Sequence, residues 1–333
     1  MSVAFRYGRK LLRCFTPALR SFPFNRTLRT FTMTPDTRQD IFFLSHGLRC
    51  AAWFYPARGT APSALVILAH GLGATRELGL DAYALRFQAA GFSVLIFDYR
   101  HYGGSEGVPR ELMSVGKQLD DWRAAIAFGK TLPGVDSNRV AIWGSSFGGG
   151  HVMALASEEL GIAAAVSQVP FSDGLASLLK IPMLTAVLIT LNALVDIASQ
   201  LLGLSPRYIN LVGKPGEVAM MSAADCEDGY MKLVPPDVLA SGAWRNKMCA
   251  RAGLIIPMYM PRRRALRIKI PILFVIAEND SIAPAGPTHA TATRIASAEV
   301  KSYPNGHFDY YSGNGFEQVV ADELEFLMRH LST

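Results

Sequence analysis

Short apolar runs alternate with amphipathic stretches along much of the chain, and this rhythm sets the expected fold. Residues 65–69, 93–97, 139–143, 163–169 and 271–276 are strand-length runs rich in aliphatic and β-branched side chains. Between and after them, residues 82–90, 118–131, 288–295 and 316–331 carry apolar positions at helical spacing. Gly91 stops the first of these helices, and Trp122, Ala125 and Ile126 share one face of the second. Residues 41–56 read as two short strands around Ser45-His46-Gly47, and 300–303 as a last short strand. Solidly apolar strands alternating with helices predict a mostly parallel, doubly wound α/β sheet covered on both faces. Ligands of such sheets sit beyond the carboxyl ends of the strands. His70, Asp98 and Ser146 all fall just past such ends.

The rhythm breaks between residues 171 and 268. Residues 175–204 are strongly apolar, interrupted by Lys180, Pro182, Asn192 and Asp196, with turns later at Pro215-Gly216-Glu217 and Pro235-Pro236. The length invites a transmembrane reading, but the charges, the proline and the position inside an α/β repeat favour a helical lid with a hydrophobic pocket or partner-facing patch beneath it. The expected organisation is therefore an N-terminal segment 1–35, a core formed by 36–170 and 269–333, and a helical lid insertion at 171–268.

Composition narrows the class of molecule. Half of the 333 residues are hydrophobic and 18% are charged, as in a well-buried globular enzyme. The formal charge of +6 has a local origin: residues 1–35 hold seven basic residues and no acid. That start resembles a mitochondrial transit peptide; the other reading is a basic tail, with Met33 opening a shorter cytosolic form. The remainder is close to neutral, which gives no reason to expect nucleic acid as a partner. Cys14, Cys50, Cys226 and Cys249 are scattered, without metal-ligand spacing or a disulfide framework, and suit reduced thiols inside a cell. Without a G-x-G-x-x-G after a strand, a P-loop or a metal cluster, no cofactor and no metal is expected.

The chemistry centres on Val140 to Gly150, which contains Gly144-Ser145-Ser146-Phe147-Gly148 between a strand and a helix. A serine on so sharp a turn holds its hydroxyl exposed, and glycines two before and two after let the chain turn. A serine hydroxyl needs a base, and the base needs an orienting acid. His307, after Gly306, and Asp280, after a strand, follow in the order Ser146, Asp280, His307. Asp173 is the reserve acid, while Asp309 lacks a preceding strand to aim it and Asp98 reads as a loop brace. Backbone N–H groups of Phe147 and of Leu72, in His70-Gly71-Leu72-Gly73, are the expected oxyanion donors. Losing one such donor costs about 2.7–4 kcal/mol of barrier. Arg262-Arg263-Arg264 reads as a solvated rim, with the alternative of an anion-binding edge for a phosphate-bearing acyl carrier.

With these residues in place the chain resembles α/β-hydrolase fold enzymes over about residues 41–331. His70-Gly71-Leu72-Gly73, Phe97-Asp98-Tyr99-Arg100, the Ser146 elbow, Glu278-Asn279-Asp280 and Gly306-His307 carry the likeness. Within that superfamily it is similar to the serine aminopeptidase and dienelactone-hydrolase-like group, including fungal polyketide transferases. The resemblance implies Ser146 as nucleophile, Asp280 as acid, His307 as base, and Leu72 and Phe147 as oxyanion donors. The implied activity is hydrolysis of an ester or thioester with an apolar acyl group, free or carrier-bound. Acyl transfer and peptidase or amidase chemistry use the same triad; peptidase action is disfavoured by the lack of a recognisable acidic pair for a free amino terminus. A reading from another class is a non-catalytic scaffold whose apolar lid docks a membrane or partner.

Overall fold

The computed structural model describes residues 38–59 and 62–332. The N-terminal segment with its targeting reading, Cys14 and Met33 lies outside the described residues. The elements run β1 (Gln39–Ser45), β2 (Leu48–Tyr55), β3 (Ser63–Ala69), α1 (Leu80–Ala89), β4 (Ser93–Phe97), α2 (Val115–Gly129), β5 (Val135–Ser145), α3 (Phe147–Leu155) and β6 (Ala164–Gln168). An insertion follows: α4 (Gly174–Leu178), α5 (Met183–Leu201), β7 (Tyr208–Val212), β8 (Ala219–Met221), α6 (Cys226–Met231), α7 (Pro236–Ser241), β9 (Met248–Cys249), α8 (Ala252–Ile255) and α9 (Arg262–Ala265). The chain then returns through β10 (Ile272–Ala277), α10 (Ala285–Ala292), β11 (Ala298–Tyr303) and α11 (Gly313–Leu331).

Eight strands form one sheet in the order β1-β2-β4-β3-β5-β6-β10-β11. The hairpin β1–β2 is antiparallel and joins β4 antiparallel; every later pairing is parallel. The central strands β3, β4 and β10 are buried along almost their whole length, which explains their apolar sequences, whereas the edge strand β11 is largely open to solvent. Leu65, Ile67 and Ala69 of β3 join one core, while Ala64, Val66 and Leu68 join the other. Trp122, Ala125 and Ile126 of α2 cover the first face; Tyr83 and Phe87 of α1 and Val319, Val320 and Phe326 of α11 cover the second. Each of the larger aliphatic and phenylalanine side chains among these contributes on the order of 1.5–3 kcal/mol when withdrawn from water.

Local boundaries depart from the expectation where polarity or glycine masks the pattern. β5 begins at Val135, before the apolar run, because Ser63 pairs with Val135 at the start of the neighbouring strand. α3 begins at Phe147, so Gly148, Gly149 and Gly150 are helical. A Cβ on Gly150 would meet the Phe171 carbonyl oxygen at 2.4 Å, so these glycines bring α3 close to the neighbouring backbone.

The insertion is not helical throughout. β7, β8 and β9 form a separate three-stranded sheet whose strands are too short to show in the sequence pattern. The apolar stretch 175–204 is broken at Pro182 into α4 and α5. α5 is long and apolar enough to cross a membrane by length and composition. It buries Thr185, Ile189, Ala193 and Asp196 on one face and exposes Leu184, Val187, Leu191 and Val195 on the other. Asp196 is held by Arg251, with Nε to Oδ2 at 2.6 Å and Nη2 to Oδ1 at 2.9 Å, tying α5 to the segment before α8.

Candidate active site

Ser146 follows β5 at the strand-to-helix turn, at φ 57° and ψ −118°. A positive φ on serine is strained and persists because its surroundings enforce it. The Ser146 N–H donates to the Gln168 carbonyl at 2.9 Å, and its own carbonyl accepts from Phe171 at 2.9 Å and Gly150 at 3.1 Å. A Cβ on Gly144 would stand 2.4 Å from the Gly148 oxygen, and one on Gly148 would stand 2.4 Å from the His70 oxygen. The spacing of small residues therefore answers to close backbone contact on both sides of the turn.

β10 and β11 deliver the partners to the same edge. His307 Nε2 lies 2.9 Å from Ser146 Oγ, and His307 Nδ1 lies 2.6 Å from Asp280 Oδ2. The other Asp280 oxygen accepts the N–H groups of Ile282 and Ala283 at 2.8 and 2.7 Å. All three side chains are buried. The loops carrying them are stitched together: Glu278 N–H donates to the Tyr303 carbonyl, and Asn279 N–H to the Asn305 carbonyl. Asp309 braces the histidine loop by accepting from Gly306 N–H at 2.8 Å.

The reserve acid is elsewhere. Asp173 caps α4, accepting from Leu175 and Ala176 N–H, and pairs with Arg262. Its position after β6 turns it toward the insertion, so Asp280 alone of the two reaches His307. Arg262 thereby has a structural partner, while Arg263 is exposed. Asp98 is the expected brace: it accepts from Arg76 and Gly104 N–H. Burial, with Glu77 nearby, pushes its carboxyl up to about 7.

Leu72 and Phe147 line one cavity with Ser146. The Leu72 loop presses on the elbow, since a Cβ on Gly71 would stand 2.8 Å from Ser146 Cβ. Sequence reasoning missed what holds this loop. Tyr230 Oη donates to the Leu72 carbonyl and Trp244 Nε1 to the Gly73 carbonyl, both at 3.0 Å. Both residues belong to the insertion, more than 150 positions away, and no local pattern marks them. Beneath the elbow, Ser145 Oγ meets Tyr311 Oη and accepts from Gln168 Nε2, whose amide oxygen accepts from Tyr83 Oη.

Two further features shape the site. The cavity has a volume of about 370 Å³ and runs under α4 and α5, walled by groups such as Phe171, Ile189, Met220 and Met221. Cys226 also lines it, but burial pushes that thiol up to about 12, so it stays protonated at neutral pH. A hydroxyl joined to an imidazole and a carboxylate, facing an apolar cavity, can attack an acyl carbon and store the acyl group.

Residues 60–309 match the family described as serine aminopeptidase, S33. The chain belongs to that family. It is a serine hydrolase of the α/β-hydrolase superfamily. Quorum-quenching protein AidA of Acinetobacter baumannii is 40% identical over 301 residues, covering 90% of this chain and 98% of AidA. Polyketide transferase af380 of Aspergillus fumigatus is 26% identical over 300 residues, covering 88% of this chain and 99% of its own length. The crystal structure of the α/β hydrolase GrgF from Penicillium sp. sh18 superposes with a TM-score of 0.74 at 24% identity, covering 89% of this chain and 99% of GrgF. The GrgF likeness establishes the shared fold, and the expected resemblance to fungal polyketide transferases holds across nearly the whole chain.

Proposed function

We propose that this enzyme hydrolyses an ester or thioester bearing an apolar acyl chain, through an acyl-enzyme on Ser146. The observation that carries the reading is the Ser146–His307–Asp280 chain of hydrogen bonds opening into an apolar cavity. His307 takes the proton of Ser146 as Oγ attacks the acyl carbon, and Asp280 holds the resulting imidazolium. Leu72 and Phe147 N–H groups receive the oxyanion. The acyl chain lies under α4 and α5, and the insertion acts as the lid. The substrate is a small acyl compound, free or carrier-bound. Among the described residues, Lys180 is the one charged residue lining the cavity. No carboxylate there awaits a free amino terminus, so ester or thioester substrates fit better than peptides.

Two relatives point to different acceptors. The A. baumannii relative is named for quorum quenching and the A. fumigatus relative for polyketide transfer, so water and a second molecule are the two acceptors to weigh. A fluorophosphonate probe should label Ser146, and Ser146→Ala should lose both labelling and roughly 10⁶-fold in kcat on a p-nitrophenyl ester. Full turnover by that variant would refute the reading. Parallel assays on ester, thioester and aminoacyl amide should rank the amide last.

A further inference from the structure

Beside the acyl cavity, sharing Leu72, Ser146 and Met221 with it, lies a second, much smaller niche of about 20 Å³. Ser146, His307, His70 and Tyr311 contribute to its wall, with Leu72 and Tyr230 closing it. His70 is 3% exposed, and its Nε2 is buried without a hydrogen-bond partner. The ring also makes a hydrogen bond to the Arg76 backbone, which occupies its other nitrogen. Burial holds the imidazole well below its usual range, at about 3, so at neutral pH it is uncharged. With one nitrogen engaged, Nε2 of the neutral ring is left as a lone-pair acceptor. A buried acceptor left unpaired costs stability, so a buried lone pair beside a catalytic pair calls for an occupant. A niche of this volume admits one water molecule, and a water needs two to four polar partners, which the niche offers.

We propose that this niche seats the water that resolves the acyl-enzyme, with His70 Nε2 accepting one of its hydrogen bonds, so that a positioned water, and not an alcohol, is the acyl acceptor. This rests on the acyl-enzyme reading above and chooses between its two acceptors. The water oxygen forms a bond to the acyl carbon while one of its protons passes to His307 Nε2. The tetrahedral oxyanion then collapses, the carbon–Ser146 Oγ bond breaks, and His307 returns the proton to Oγ. The carboxylic acid leaves, and the enzyme is restored with atoms and charge balanced. His70 neither gains nor loses a proton in this step; it positions the nucleophile.

The acylation and deacylation steps can be read separately. Single-turnover release of p-nitrophenol measures acylation, and intact-mass decay of the acyl-enzyme measures deacylation. His70→Met, which removes the acceptor, should leave acylation essentially unchanged and slow deacylation about tenfold, the scale of one lost hydrogen bond. His70→Gln, which places an amide oxygen near the same position, should recover most of the loss. If both steps fall together, or neither moves, His70 does not position the water. Should His70→Met fail to fold, the wild-type enzyme still decides. With methanol or benzyl alcohol added, it should yield the free acid and no benzyl ester; benzyl ester formed as fast as acid would overturn the proposal. Fluorophosphonate labelling of wild-type Ser146 separates the two failures: an unlabelled serine sinks the acyl-enzyme reading, and a labelled serine without the kinetic split sinks the niche alone.

Discussion

Individual side chains in this enzyme are held by more than one partner, and that redundancy sets what a single substitution should do. Asp280 accepts from His307 through one oxygen and from two backbone N–H groups through the other. Asp280→Asn keeps the shape but offers His307 Nδ1 a group that can favour the wrong tautomer, so kcat should fall by about 10⁴-fold, as in other triads. A retained melting temperature beside that loss would confirm a chemical effect; unchanged kcat would remove Asp280 from the site. Glu323 is a different case. It is fully buried with no ion-pair partner among the described residues, and burial raises its carboxyl well above the usual range, against the opposing effect of a hydrogen bond from Trp143. Its contribution to stability is complete below its unfolded pKa of about 4.5 and is lost as pH rises through the higher folded value. Glu323→Gln should therefore lose less melting temperature than wild type between about pH 5 and pH 8. Equal slopes for the two proteins would show that Glu323 does not carry this dependence.

At the scale of elements, the insertion does more than cover the cavity. Tyr230 of α6 and Trp244 after α7 grip the successive carbonyls of Leu72 and Gly73, so they set where the Leu72 loop stands. Tyr230→Phe combined with Trp244→Phe should lower kcat by roughly tenfold, with little change in KM, because donor alignment matters most in the transition state. A rise in KM alone would assign these residues to substrate binding. α5 illustrates the reverse relation between sequence and role. Its apolar length suits a pocket wall or a partner-facing patch, and Leu184 is 71% and Leu191 53% exposed. What fixes the helix is its other face and the Asp196–Arg251 pair, a tertiary contact that the local pattern does not announce.

For the molecule as a whole, the proposed function makes specificity follow from the cavity between the sheet edge and the insertion. Each methylene moved from water into the cavity gains about 0.8 kcal/mol, so kcat/KM should climb about fourfold per carbon until the chain fills the space. Ala186, on α5, lines that space. Ala186→Phe should shift the optimum to shorter chains while sparing an acetyl ester; an unshifted profile would place the acyl chain elsewhere.

The sequence by itself determined the alternating α/β plan, because parallel strands buried on both faces must be apolar at every position. It also determined the elbow, because Gly144 and Gly148 stand where a Cβ would strike backbone, and a turn of that shape leaves a local signature. It identified Asp280 and His307 because each follows a strand ending at the same edge. Only the tertiary structure decided that Asp280, and not Asp173, faces His307, since that depends on β10 lying next to β6 and on which way each loop leaves the sheet. It alone disclosed the insertion's small sheet, the grip of Tyr230 and Trp244 on the Leu72 loop, and the niche beside His70. Those features join residues far apart in the chain, and distance along a polymer carries no record of which side chains meet in space.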